Sequence, residues 1–104
     1  MMAAIMGIPA DTLEAAPEYV LRLFVCGFTP RSQRAIDNMR AICERHLAGR
    51  FQIEVIDLHQ SPGRAHDDQI LATPTLVRVS PSPPRRVIGD LSQADKVLRG
   101  LDIT

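Results

Sequence analysis

The chain has 104 residues, 45% of them apolar, with 12 basic side chains balanced by 12 acidic ones. This length supports one modest core and no second one, and the apolar content rules out a disordered chain. Zero net charge leaves no global basic footprint for nucleic acid, and no stretch reaches the ~18 apolar residues of a membrane span.

Residues 1–17 read as a flexible extension punctuated by Pro9 and Pro17. The apolar start lacks the basic n-region of a secretory signal, so the expectation is a cytoplasmic protein whose folded domain covers residues 18–104. Two cysteines, Cys26 and Cys43, are too few for a disulfide framework. Tyr19 to Val25 is nearly continuously apolar and rich in β-formers, which predicts a central strand buried on both faces. Thr29-Pro30 then predicts a helix start, Thr as N-cap and Pro at the first helical position. From Arg31 to Leu47 the apolar residues fall at Ala35, Ile36, Met39, Ile42, Cys43 and Leu47, one helical face. Gly49 is the stop. Phe51 to Asp57 is β-branched and alternates early, which predicts a second strand. Short links make this a right-handed βαβ unit with parallel strands.

The second half carries weaker signals. Ser61-Pro62-Gly63 marks a turn, residues 64–71 suit a short helix, and residues 75–79 a strand. Pro81-Ser82-Pro83-Pro84 is a turn, and residues 85–88 a brief strand. Ser92 is placed to cap a last helix containing Val97, Leu98 and Leu101. Residues 96–103, with Gly100 near their middle, suit a strand as well, and local propensity leaves both open. Taken as βαβαββα, the order is that of a thioredoxin-like α/β single domain. Thr73-Pro74 precedes the third strand, where that fold carries a cis proline, so Pro74 is expected to be cis.

Cys26-Gly27-Phe28-Thr29 lies at the strand-to-helix junction, where a helix N-terminus stabilises a thiolate. Thr29 occupies the place of a resolving Cys. The tetrapeptide resembles the Cys-Gly-Phe-Ser of single-thiol glutaredoxins, which gives a redox or iron–sulfur alternative centred on Cys26. Against it stands a small buried residue at a strand end. Cys43 lies on the apolar helix face and reads as core. His46, His59 and His66 have no zinc spacing, and adjacent Asp67-Asp68 cannot face each other on a helix; no metal or catalytic dyad is expected. Arg31 and Arg34 stand in the first helical turn, where the macrodipole disfavours cations by ~0.3–1 kcal/mol each. That placement points to an acidic partner or to a solvated face. Arg78 and Arg85-Arg86 are further basic spots.

Four stretches together resemble the KaiB family of circadian clock proteins: residues 19–25 leading into Gly27 and Thr29-Pro30, Ile70-Leu71-Ala72-Thr73-Pro74-Thr75-Leu76, residues 85–92 (Arg-Arg-Val-Ile-Gly-Asp-Leu-Ser), and residues 96–102 (Lys-Val-Leu-Arg-Gly-Leu-Asp). The resemblance implies no enzyme activity and no cofactor. It implies binding to the ATPase ring of a KaiC-type hexamer, whose dephosphorylation phase the family promotes, with a clock histidine kinase bearing the same module as competitor. It implies two folds: the thioredoxin-like, partner-binding form and a βαββααβ ground state that forms homo-dimers or homo-tetramers. By position, the partner-binding residues fall on Arg34, Arg78 and Arg85, and those that set the fold balance on Tyr19, Gly100 and Asp102. This sequence departs from the family at Cys26, Phe28 and the Pro-Ser-Pro-Pro stretch. It ends at Thr104, where members continue into a Leu-Tyr pair and an acidic tail. Because that tail serves the ground state, the thioredoxin-like form is expected here.

Overall fold

The computed structural model describes residues 17–103; the extension expected over residues 1–17 lies outside them except for Pro17. The strands are Tyr19–Val25 (β1), Phe51–Asp57 (β2), Thr75–Ser80 (β3) and Arg85–Ile88 (β4). The helices are Pro30–His46 (α1), Gly63–Asp67 (α2) and Ala94–Gly100 (α3). They form one four-stranded sheet in the order β2–β1–β3–β4. β1 pairs parallel with β2 from Tyr19↔Phe51 to Val25↔Asp57. It pairs antiparallel with β3, Leu23 opposite Leu76 and Phe24 opposite Thr75. β3 pairs antiparallel with β4, Arg78 opposite Arg85 and Thr75 opposite Ile88. This is the thioredoxin-like arrangement expected from the element order.

A central strand is buried on both faces, and β1 is apolar for that reason. Its odd residues Tyr19, Leu21, Leu23 and Val25 enter the larger core with Ala35, Ile36, Met39, Ile42 and Cys43 of α1 and with Val97, Leu101 and Ile103 from the C-terminal end. Phe24 faces the other way, into a smaller core with Ile56, Ile70 and Val77. Tertiary packing thus decides the last element. Val97, Leu98 and Leu101 all pack into one core, an i, i+1, i+4 set that a helix keeps on one side and a strand would split between its two faces.

Three local expectations give way. Ser92 does not cap α3: Gln93 occupies the N-cap without a side-chain bond, and the Ser92 N–H instead donates to Asp90 Oδ1 at 3.1 Å. α2 stops at Asp67 rather than Leu71, because Gln69 turns into the left-handed region at φ +56°. Cys26 is exposed rather than buried, since β1 ends one residue before it.

Candidate functional site

The C-terminal end of β1 meets three connections. Thr29 caps α1, its hydroxyl accepting the Ser32 N–H at 3.1 Å, with Pro30 at the first helical position. The side chain at the place of a second thiol is therefore committed to the helix end. Gly27, at φ +75°, takes a conformation that favours glycine. Its N–H donates to Asp57 Oδ1 at 2.9 Å, and the same oxygen accepts the His59 N–H at 2.9 Å. One carboxylate thus clamps the loops after β1 and β2. The Gly27 bond first, then the His59 bond, hold Asp57 below the usual carboxylate range. Beside this loop the Thr73–Pro74 peptide bond is cis. Cys43 is buried, and desolvation pushes its thiol up to about 11, which makes it inert. The three histidines are exposed, and no group of three His, Cys, Asp or Glu side chains among the described residues could hold a metal ion.

The three arginines singled out in the sequence occupy different settings. Arg34 is exposed, with its Nε 3.9 Å from Asp90 Oδ2. Asp90 sits just past β4, and Arg31 acts on it too. The Ser92 hydroxyl, then the Ser92 N–H, then these two arginines hold Asp90 below its ordinary value. The disfavoured cations in the first turn of α1 therefore have a counter-charge inside the chain. Sequence reasoning had no access to it, because 56 positions separate Arg34 from Asp90. Arg78 is 5% exposed. One η-nitrogen donates to the Pro83 carbonyl at 2.9 Å, while its buried Nε has no partner. Arg85 stands directly across from it on β4 and is exposed. Among the described residues no carboxylate lies within ion-pair distance of either. Arg78 and Arg85 thus come together, while Arg34 stands beyond the other end of β4.

Of the residues tied by resemblance to the fold balance, Tyr19 opens β1 in the large core, with the Arg50 guanidinium 5.8 Å from its ring centroid. Gly100 is the last residue of α3 and approaches β4 closely: a Cβ there would lie 2.5 Å from Val87 Cγ2. Asp102 takes φ +55°. Its N–H donates to Arg99 O at 3.1 Å and the Ile103 N–H to Leu98 O at 2.9 Å, a Schellman ending in which glycine is the usual occupant. α2 ends the same way around Gln69, with Gln69 N–H to His66 O at 3.2 Å and Ile70 N–H to Ala65 O at 2.8 Å.

Two structural residues had no clear signal in the sequence. Arg86 donates from β4 to the carbonyls of Gln69 at 2.8 Å and Asp68 at 3.3 Å, so a strand holds the C-terminus of α2. Asn38 donates to the Asp90 carbonyl at 2.8 Å, fastening α1 to the loop after β4. The Arg-Arg pair at 85–86 was visible as a basic spot; strand alternation sends its two members to opposite faces.

Fold and site define a thioredoxin-like α/β domain with one exposed thiol and no second one at the capping position. By fold it is similar to the N-terminal domain of Synechococcus elongatus SasA, with a TM-score of 0.68 at 24% identity over 84% of this chain and 86% of that one. It is similar likewise to mitochondrial thioredoxin 3 of Saccharomyces cerevisiae, with a TM-score of 0.65 at 14% identity over 86% and 82%. Residues 22–103 match the KaiB domain family model, and the chain belongs to the KaiB family. It is 48% identical over 91 residues to the circadian clock oscillator protein KaiB of Prochlorococcus marinus (strain NATL2A), covering 88% of this chain and 85% of that protein. Against the KaiB of Thermosynechococcus vestitus it is 51% identical over 85 residues, 82% of this chain and 79% of the relative.

Proposed function

We propose that this chain is a non-enzymatic, cytoplasmic clock regulator that binds a KaiC-type ATPase hexamer through Arg34, Arg78 and Arg85 and modulates its phosphorylation and ATPase cycle. A clock histidine kinase bearing the same module competes for that partner. The second half exchanges between this thioredoxin-like arrangement and a second, self-associating fold, with Tyr19, Gly100 and Asp102 setting the balance.

The observation that carries this reading is the Arg78–Arg85 pair. Like charges directly opposite on a strand pair are destabilising, and a buried guanidinium with an unpaired Nε carries a desolvation cost. The repulsion falls when a carboxylate from outside meets the pair at the exposed Arg85, because an arginine fork matches a carboxylate in two parallel hydrogen bonds. Arg34 adds a charge whose link to Asp90 is long and open to exchange. Two-thiol exchange is disfavoured, because Thr29 stands at the resolving position and its hydroxyl caps α1.

The test is co-migration with a KaiC-type hexamer on size exclusion in the presence of ATP. Wild type co-migrates, and Arg34→Ala with Arg85→Ala abolishes this while the circular dichroism spectrum is unchanged. Absence of wild-type binding to every phosphorylation state of the hexamer would falsify the reading. Binding that develops over minutes is expected if only a minor fold is competent.

A further inference from the structure

Of the charged side chains among the described residues, Arg78 alone is buried. The strand register explains its setting. Arg78 is directly opposite Leu21 on β1 and two residues beyond Leu76 on β3, so it shares the sheet face whose side chains form the larger core. α1 and α3 cover that face. Arg85 stands across from it on β4. Residue 78 is thus held between an apolar neighbour and a second cation.

Little offsets this placement. Arginine keeps its charge in proteins, so burial is not relieved by loss of a proton, as it is for lysine. One η-nitrogen bonds the Pro83 carbonyl at 2.9 Å, and the buried Nε bonds nothing. Among the described residues no carboxylate lies within ion-pair distance. A carboxylate meeting the exposed Arg85 relieves the repulsion and leaves the Nε as it is. The cost also belongs to this arrangement. It requires β1 on one side of β3 and β4 on the other, with helices over the face. Any arrangement in which β3 leaves β1 separates residue 78 from Leu21 and opens that side of the guanidinium to water.

We infer that Arg78 is a built-in brake on the thioredoxin-like arrangement: its buried, unpaired charge raises the energy of this packing and holds down its share against the unfolded chain and against the second fold. The inference deepens the reading under Proposed function, on which it rests for the second fold, and gives Arg78 a part in the fold balance beside Tyr19, Gly100 and Asp102.

The test is amide NMR on the full chain through a urea titration. The quantity read is the ratio of molecules with residue 78 paired to residue 85 to all other molecules, compared at the urea concentration where wild type stands nearest to one. Arg78→Met, unbranched and apolar, is expected to raise this ratio roughly tenfold. Arg85→Ala removes the repulsion and leaves the burial, so it is expected to raise the ratio about threefold or less. An unchanged or lower ratio with Arg78→Met overturns the inference, because the guanidinium then holds the β3–β4 turn together. A rise with Arg85→Ala as large as that with Arg78→Met also overturns it, since the source is then repulsion and not burial. Should Arg78→Met not fold, Arg78→Gln decides by the same criteria: it drops the charge and keeps an N–H for the Pro83 carbonyl. Wild type that binds no KaiC-type hexamer overturns the reading under Proposed function and leaves this ratio to decide the inference.

Discussion

In the βαβ half, the left-handed backbone positions are filled by glycine, Gly27 at φ +75° and Gly49 at φ +74°. In the second half, Gly89 at φ +126° is joined by Gln69, Leu91 and Asp102 at φ +56°, +65° and +55°. A side chain in that region costs of order 1–2 kcal/mol. Helix starts differ in the same sense. α1 has a bonded threonine cap and a proline behind it, whereas Pro62 and Gln93 begin α2 and α3 without any side-chain cap bond. The first half is built from residues that prefer what they do. The second half is assembled against local preference and held by packing on β1 and by long-range bonds such as those of Arg86. This asymmetry supports the proposal that the second half exchanges between folds, since two packings of one sequence must lie within a few kcal/mol of each other.

The strongest way to break the comparison is at its shared strand. Leu23 is fully buried in β1, and Leu23→Ala is expected to cost roughly 2–5 kcal/mol, destabilising both halves in one urea transition. Loss of the second half alone would show that β1 does not couple them. The next test exchanges residue types at left-handed positions. Gly49→Ala is expected to destabilise by about 1 kcal/mol, and Gln69→Gly and Asp102→Gly each to stabilise by about 0.5–1 kcal/mol, read as urea midpoints. Equal and opposite behaviour is the prediction; stabilisation by Gly49→Ala would remove the distinction. Asp102→Lys is expected to stabilise α3 as well, by about 0.3–1 kcal/mol, because it replaces an anion with a cation at a helix C-terminus.

A smaller effect is expected where α3 meets β4. Alanine at position 100 gains up to about 1 kcal/mol of helix propensity but collides with Val87. Gly100→Ala is therefore expected to lower the melting temperature of wild type and to raise it in a Val87→Ala background. Additivity of the two substitutions would contradict the close approach. The smallest effect is in acid. Asp57 and Asp90 both have folded-state pKa values below their ordinary ones, so their contribution is present above the unfolded value of ~3.9 and is lost as pH falls through the folded one. Asp57→Asn and Asp90→Asn should each flatten the acid limb of a stability–pH profile below ~4 and leave its alkaline side unchanged.

The same asymmetry explains what was legible in the sequence. β1, β2 and α1 announce themselves because pattern, cap and stop agree over residues 19–57. β4 is legible from its position after the proline stretch. The extent of α2 was not, because nothing about Gln69 signals a left-handed turn. The start of α3 was not, because Ser92 is drawn to Asp90 instead of capping. In the site, the thiol junction and the basic residues were visible by type. The partner of Arg34, the burial of Arg78 and the bonds of Arg86 to α2 depend on which strand lies beside which, and that is a property of the assembled sheet.

The strand order carries one more consequence. β4 is attached to the sheet through β3, and β3 through its ladder with residues 20–24 of β1. Opening that single ladder would turn a central strand into an edge, exposing the unpaired peptide groups of Leu21 to Phe24 along one of the most apolar stretches of the chain. A bare edge of that kind templates pairing with any strand that reaches it. Any rebuilding of the second half must therefore hand this edge promptly to another strand, from the same chain or from a neighbouring copy, or else face aggregation.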